Sequence, residues 1–241
     1  MDLKVFTFSP AWGLPSSGPF PLKLIKWLDL SGLPYRQVYE DNAMKGPKKK
    51  SPWIEIDGQA IADSEIIIET LARRSGFDID SGLCSGQKAA SHAIRRMLEE
   101  HLHMIFEYEL FVHPAGVADA AALMGTIPAP LRFVALPYFL RHMKRQLHAR
   151  GIARHDPETI VKKGRADIDA VEATLGDKPF LLADRPSMAD IAAYGFIRPM
   201  SVWPMRTPVA EYVRSRPKLV AYLERLEVMS AAEKTPNTVL A

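Results

Sequence analysis

The spacing of apolar positions changes character along the chain. Lys4-Val5-Phe6-Thr7-Phe8 is short, β-branched and aromatic, and predicts a strand. A loop rich in Pro, Gly and Ser covers residues 9–18. From Pro19 onward, Leu22, Leu24, Ile25, Trp27, Leu28 and Leu30 recur with a period of about 3.6 residues, which predicts a helix. Pro19 costs that helix nothing in its first turn, where its N–H would have no intrahelical partner. Gly32 supplies a C-terminal stop. Residues 35–39 read as a second strand and 44–51 as a polar, lysine-rich loop. Trp53-Ile54-Glu55-Ile56 and Gln59-Ala60-Ile61-Ala62 flank Asp57-Gly58, the dipeptide of a two-residue hairpin turn. A helix over 64–74 closes the region, and the order is βαβ followed by ββα.

Beyond residue 87 the pattern is helical almost throughout, with helices predicted near 87–112, 130–149, 156–175, 187–200 and 216–229. Ser187-Met188-Ala189-Asp190 has capping-box spacing, with Asp where Glu is more usual. The pattern therefore predicts an α/β domain over 1–76, a linker over 76–86 and an all-helical domain over 87–241. The polar tail 233–241 is expected to fray.

Length and composition fit this division. At about 150 residues per domain, a chain of this size holds one or two domains. Hydrophobic residues are 47% and charged residues 24%, an ordinary globular balance that excludes disorder and collagen-like architectures. No apolar run approaches the roughly 20 residues of a membrane span. The chain opens directly into a strand, without a basic-then-apolar leader. Its single cysteine, Cys84, excludes an internal disulfide and a cysteine-rich metal site, so a cytoplasmic protein is expected. Net charge is +3, from 31 basic and 28 acidic residues, a balance that argues against a nucleic-acid partner.

Several residue groups resist a catalytic reading. His101 and His103 lie two apart on one predicted helix and face different sides, so no metal site is expected. Glu99-Glu100 has no partner acid at an identifiable distance, which removes a glycosidase reading. Arg95-Arg96 reads as solvated or as an interdomain ion pair, and Cys84, in the linker, as inert. Asp63-Ser64 before an apolar run is ordinary helix N-cap grammar. Lys45, Lys48 and Lys49 read as a solvated basic loop, while Lys50 fits either that loop or a ligand-binding role.

Four elements together resemble the glutathione transferase superfamily: Lys50-Ser51-Pro52-Trp53-Ile54 leading into the third strand, Asp63-Ser64-Glu65-Ile66-Ile67 at the following helix, Ser187-Met188-Ala189-Asp190-Ile191-Ala192 and Arg216-Pro217-Lys218-Leu219. They span nearly the whole chain in the family's order. Within the family, Trp12-Gly13-Leu14-Pro15-Ser16 and Gly18-Pro19-Phe20 look closest to the metaxin and failed-axon-connection-like branch, which contains scaffold proteins as well as bacterial members. The resemblance implies a thioredoxin-like domain followed by an all-α bundle.

It also implies chemistry. Glutathione is an anionic tripeptide whose thiol is close to that of free cysteine, with a pKa of about 8.5. By resemblance, Asp63 pairs the γ-glutamyl ammonium, and Ser64 with the first helical N–H groups takes the carboxylate. Pro52 is implied to be cis, with Ser51 presenting its backbone to the cysteinyl part and Lys50 reaching a carboxylate. Family members activate the thiol with a Tyr, Ser or Cys near the end of the first strand or the start of the first helix. Here those positions hold Phe8 and Gly18, and no cysteine lies near, which argues against thiol–disulfide exchange. Ser17 comes first and Ser16 second as hydroxyls at the positive end of the helix, with Ser9 or a backbone N–H as further candidates. Ser17 is equally readable as a plain cap. Trp12, Phe20 and Phe106 are the candidate walls of a pocket for an apolar electrophile, with Tyr108, Phe111 and Tyr138 readable as pocket or core, and the segment 117–130 is a candidate cover.

The expected activity is a serine-type or backbone-activated transferase, with glutathione as co-substrate and no metal, that conjugates the thiolate to an electrophile or reduces a peroxide. A homodimer is expected by resemblance, with no membrane partner. The alternative is a non-catalytic scaffold or glutathione-binding protein of the same fold. The chain lacks the apolar C-terminal anchor expected of a membrane-import component, and Lys23 and Lys26 interrupt the first helix, which removes a membrane-inserting reading.

Overall fold

Val5, Ile54 and Ile56 are fully buried, and their alternation with half-exposed neighbours sets the register of a mixed sheet. The computed structural model describes residues 2–120, 129–230 and 238–240. β1 (Leu3–Thr7) runs parallel to β2 (Arg36–Tyr39), and the crossover between them is α1 (Pro19–Ser31). β3 (Trp53–Ile56) pairs antiparallel with β1, and β4 (Gln59–Ala62) antiparallel with β3. Asp57 and Gly58 both have positive φ, 50° and 78°, as a two-residue hairpin turn requires. α2 (Ser64–Ser75) follows. Leu24, Trp27 and Leu28 of α1 and Ile67, Ile68 and Leu71 of α2 form one core with the sheet.

The sheet order is β4-β3-β1-β2-β5. β5 (Thr238–Leu240) lies in the tail that was expected to fray, and it pairs parallel with β2. The physical reason is the open edge of β2, whose unpaired backbone groups form a template for any nearby extended segment. The rest of that tail lies outside the described residues.

The second half is helical. α3 (Ser85–Arg96), a π-helical segment (Met97–Leu102) and α4 (His103–Phe111) form one continuous run where a single helix was expected. α5 (Pro114–Ala120), α6 (Ala129–Ala149), α7 (Pro157–Leu175), α8 (Met188–Val202), α9 (Pro208–Arg214) and α10 (Pro217–Val228) complete the bundle. α5 and α9 were not expected, because seven-residue helices are too short to display a period. α9 is instead fixed from a distance: buried Glu109 of α4 accepts hydrogen bonds from Thr207 Oγ1 at 2.6 Å, Val209 N at 2.8 Å and Ala210 N at 3.0 Å. No helix among the described residues is long and apolar enough to cross a membrane.

α8 is the axis of the molecule, buried on all sides from Met188 to Met200. Its first turn joins the sheet's core through Met188 and Ile191, while the rest belongs to the bundle core. Gly195 lets α1 approach it, since a Cβ there would lie 2.7 Å from the Pro19 carbonyl oxygen. Lys23 and Lys26 of α1, read as interruptions in the sequence, are buried in this interface. Lys26 Nζ donates to the Glu227 and Met229 carbonyls at 2.9 and 3.1 Å, at the C-terminal end of α10 where a cation suits the helix dipole.

Candidate functional site

A cleft of about 1300 Å³ separates the sheet-bearing half from the bundle. The loop before β3, the start of α2 and the start of α1 form its polar wall. The Ser51–Pro52 peptide bond is cis, and both residues line the cleft. The Ser51 hydroxyl is buried there without a hydrogen-bond partner. Lys50 is exposed at the same wall. Asp63 has φ 85° and caps α2: Oδ1 accepts from Glu65 N at 3.0 Å and Ile66 N at 3.5 Å. Its Oδ2 lies 3.8 Å from Lys48 Nζ, so Lys48, read as solvated, belongs to this cluster. Ser64 is buried at the first position of α2 and lines the cleft. An anion here meets lysine charge and the positive end of the α2 dipole, and a cation meets Asp63.

The start of α1 carries fewer groups than expected. Ser17 lines the cleft, and its N–H donates to the Ser9 carbonyl at 3.0 Å. It does not cap α1, whose N-cap is Gly18 with no side-chain bond. Gly18 is required there: an added Cβ would lie 2.7 Å from Phe8 Cδ2. The expectation for Ser16 is corrected, since Ser16 is fully buried outside the cleft lining, with its Oγ accepting from Gly18 N at 3.4 Å. Ser9 lines the cleft, but its hydroxyl donates to Asp41 Oδ2 at 2.8 Å.

The opposite wall is apolar. Phe20, Phe106, Leu110, Phe111, Phe139 and Met143 line it. Phe20 stands edge-on to Phe196, ring centroids 5.0 Å apart, and Phe111 edge-on to Phe139 at 5.1 Å. Trp12 is corrected: it packs edge-on against Trp203 at 5.8 Å and does not line the cleft. Tyr108 is core and Tyr138 is exposed. Of the candidate cover, residues 117–120 belong to α5 and Ala120 lines the cleft, while 121–128 lie outside the described residues.

A chain of ion pairs ties the walls together. Glu65, in the first turn of α2, pairs with Arg95 at 3.0 Å and with Arg96. Arg96 also pairs with Glu99 at 3.0 Å, and Glu99 with the fully buried Lys23 at 2.8 Å. Glu99 sits in the π segment, whose widened turn interrupts the ordinary helical register. Burial pushes Glu65 upward, but the Arg96 hydrogen bond and the Arg95 and Arg96 charges outweigh it and hold the carboxyl below its usual range. Among the described residues, no group of three or more ligating side chains could hold a metal.

Residues 19–116 match the sequence profile of the glutathione S-transferase N-terminal domain, and 164–226 that of the C-terminal domain. The chain belongs to the glutathione S-transferase family. It is 30% identical over 235 residues to the isoprene-epoxide–glutathione S-transferase of Rhodococcus sp. (strain AD45), covering 93% of this chain and 97% of that one. It is 30% identical to Failed axon connections of Drosophila melanogaster, over 92% of this chain but 56% of that longer protein. Its fold is similar to that of the β-etherase LigF of Sphingobium sp. strain SYK-6, with a TM-score of 0.66 at 18% identity, over 95% of this chain and 96% of that one.

For this glutathione S-transferase family member, the sequence missed two residue pairs, one reaching behind the cleft and one in its wall. Lys23–Glu99 was missed although α1 shows no polar face, the sign of a helix whose lysines are buried. His103 and Glu107 line the cleft as well. Their i, i+4 spacing marks one helical face and was the available signal.

Proposed function

We propose that this chain binds glutathione along the polar wall of the cleft and adds its thiolate to a small apolar electrophile held by the aromatic wall. The observation that carries the reading is the convergence of Lys50, Ser51, Pro52, Asp63 and Ser64 on one side of a cleft whose other side is aromatic. The buried, unpartnered Ser51 hydroxyl fits a polar ligand at that point. The 30% identical relative named for an isoprene epoxide supports an epoxide as the electrophile, and peroxide reduction by the same thiolate is the companion reaction. Ser17 is the hydroxyl positioned to favour the thiolate. The protein acts as a cytoplasmic homodimer without a metal, which gel filtration and metal analysis test.

The deciding experiment is calorimetric titration with glutathione, repeated on the Asp63→Ala, Ser64→Ala variant. Micromolar to millimolar binding that disappears in the variant is expected. No binding to the wild type overturns the reading. A second reading, a non-catalytic scaffold, is favoured by the exposed apolar residues Leu131, Phe133, Val134 and Tyr138 on α6. It predicts no turnover of epoxides or hydroperoxides above background.

A further inference from the structure

The end of β1 and the position before Pro19 offer no acid–base group, but the bundle brings one to the same turn of α1. His103, the first residue of α4, lines the cleft and stands edge-on to Phe20, ring centroids 5.0 Å apart. Phe20 lies three residues after Ser17, in the first turn of α1. Phe196 of α8 backs the imidazole at 5.7 Å. The Nε2 atom lies 3.6 Å from Glu107 Oε1, one turn further along α4. Glu107 also lines the cleft and is held by an ion pair with Arg150, which follows α6. The pair therefore sits in the wall between the glutathione side and the apolar side, with its carboxylate fixed from behind.

Electrostatics keep the resting ring neutral and make the adjacent carboxylate decisive for any proton it takes. Burial pushes the imidazole below its ordinary value, Glu107 opposes that, and the Arg150 and Lys50 charges add to the lowering. His142 of α6, Lys48, Lys49, Arg96, Glu99 and Glu100 line the same cleft. Burial opposes protonation of the neutral imidazole, and the Glu107 carboxylate 3.6 Å from Nε2 is the group that stabilises the imidazolium it forms. An aromatic surround strengthens the attraction between that imidazolium and a thiolate beside it.

We propose that His103, positioned by Glu107, shuttles the proton of the thiol reaction; this rests on the glutathione-binding reading above. His103 takes the S–H proton of glutathione and becomes imidazolium. The sulfur electron pair then forms a C–S bond to an epoxide carbon. The C–O bond breaks, and its electron pair stays on oxygen. The imidazolium returns its proton to that alkoxide, so the hydroxyalkyl thioether leaves with no net gain or loss of protons and His103 is neutral again. The arrangement favours epoxides over halides, because ring opening consumes the proton that thiol ionisation releases.

The test compares wild type, His103→Gln and Glu107→Gln with glutathione and styrene oxide. Calorimetry gives glutathione affinity, ultraviolet thiolate absorbance gives the pH of half-ionisation of the bound thiol, and kinetics give kcat against pH. His103→Gln is expected to bind glutathione as wild type does and to lose about 100-fold in kcat. Its bound thiol should ionise at a higher pH than in wild type, toward the free value of about 8.5 but still below it because Ser17 remains. Glu107→Gln keeps the ring and should show the same displacement of the pH profile with a smaller loss, which supplies the readout if His103→Gln fails to fold. Unchanged pH profiles in variants that still bind glutathione overturn this inference alone. Failure of the wild type to bind glutathione overturns it together with the reading beneath it.

Discussion

Asp63 and Asp190 each serve the first turn of a helix, and their surroundings separate their roles. Asp190 is fully buried. Its Oδ1 accepts from Leu181 N at 2.8 Å and Tyr222 Oη at 2.7 Å, and its Oδ2 from Ser187 N at 2.8 Å and Ser187 Oγ at 2.6 Å. The carboxylate is saturated, and it ties the start of α8 to α10 and to the loop before it. Asp63 is exposed, spends Oδ1 on its own helix and leaves Oδ2 facing Lys48 across 3.8 Å at the cleft. The same local grammar thus yields a closed structural knot in one domain and an open acceptor in the other. Burial and saturation, not the motif, decide which.

Four substitutions sharpen that contrast. The largest effect is expected for Asp190→Ala, which leaves buried donors without partners and should cost about 3–5 kcal/mol in urea denaturation. Asp63→Ala in the same assay should lose only about 1 kcal/mol, the worth of an N-cap; equal losses would dissolve the distinction. Next comes Lys23→Met, which leaves buried Glu99 with Arg96 but without its buried partner and should cost about 2 kcal/mol. Adding Glu99→Leu, which also removes the Arg96–Glu99 pair, should restore part of that stability, and a double variant no better than the single one would deny that the cost lies in the buried carboxylate. In calorimetry, Asp63→Ala should weaken glutathione at least tenfold, about 1.4 kcal/mol, whereas Asp190→Ala, where folded, should bind normally.

The smallest effect concerns pH. Glu65 is held below the usual carboxyl range, despite burial, by Arg96 and Arg95. A carboxyl lowered in the folded state contributes stability above its unfolded pKa of about 4.3 and loses it as pH falls through the folded value. Wild type should therefore exceed Glu65→Gln in stability near pH 7, and the gap should close near pH 3, as read by urea midpoints. A gap that persists in acid would assign it to packing.

Much of the first domain was legible because its signals are local. Asp57-Gly58 with positive φ at both positions, the strand alternation around Val5 and Ile54, and Pro19 with Gly32 at the ends of α1 each act within a few residues. The polar wall of the cleft could be grouped for the same reason, since Lys50 to Pro52 and Asp63 with Ser64 are contiguous runs. The errors fell where partners come from afar. Ser16 and Ser17 are adjacent in sequence, yet one is buried and the other lines the cleft. Trp12 turned to Trp203 instead of the cleft. α9 depends on Glu109, about a hundred residues upstream.

The sequence by itself determined the order β1 to α2, the two-part architecture and the family, because periodicity, caps and turn residues are short-range physics that survive without coordinates. Only the tertiary structure decided that Lys23 and Glu99 meet, that His103 and Glu107 reach the cleft, and that β5 returns to the edge of β2. These contacts are set by how α1 packs on α8 and how the chain closes over the sheet. Charge and burial act through space, and their partners cannot be read from spacing along the chain.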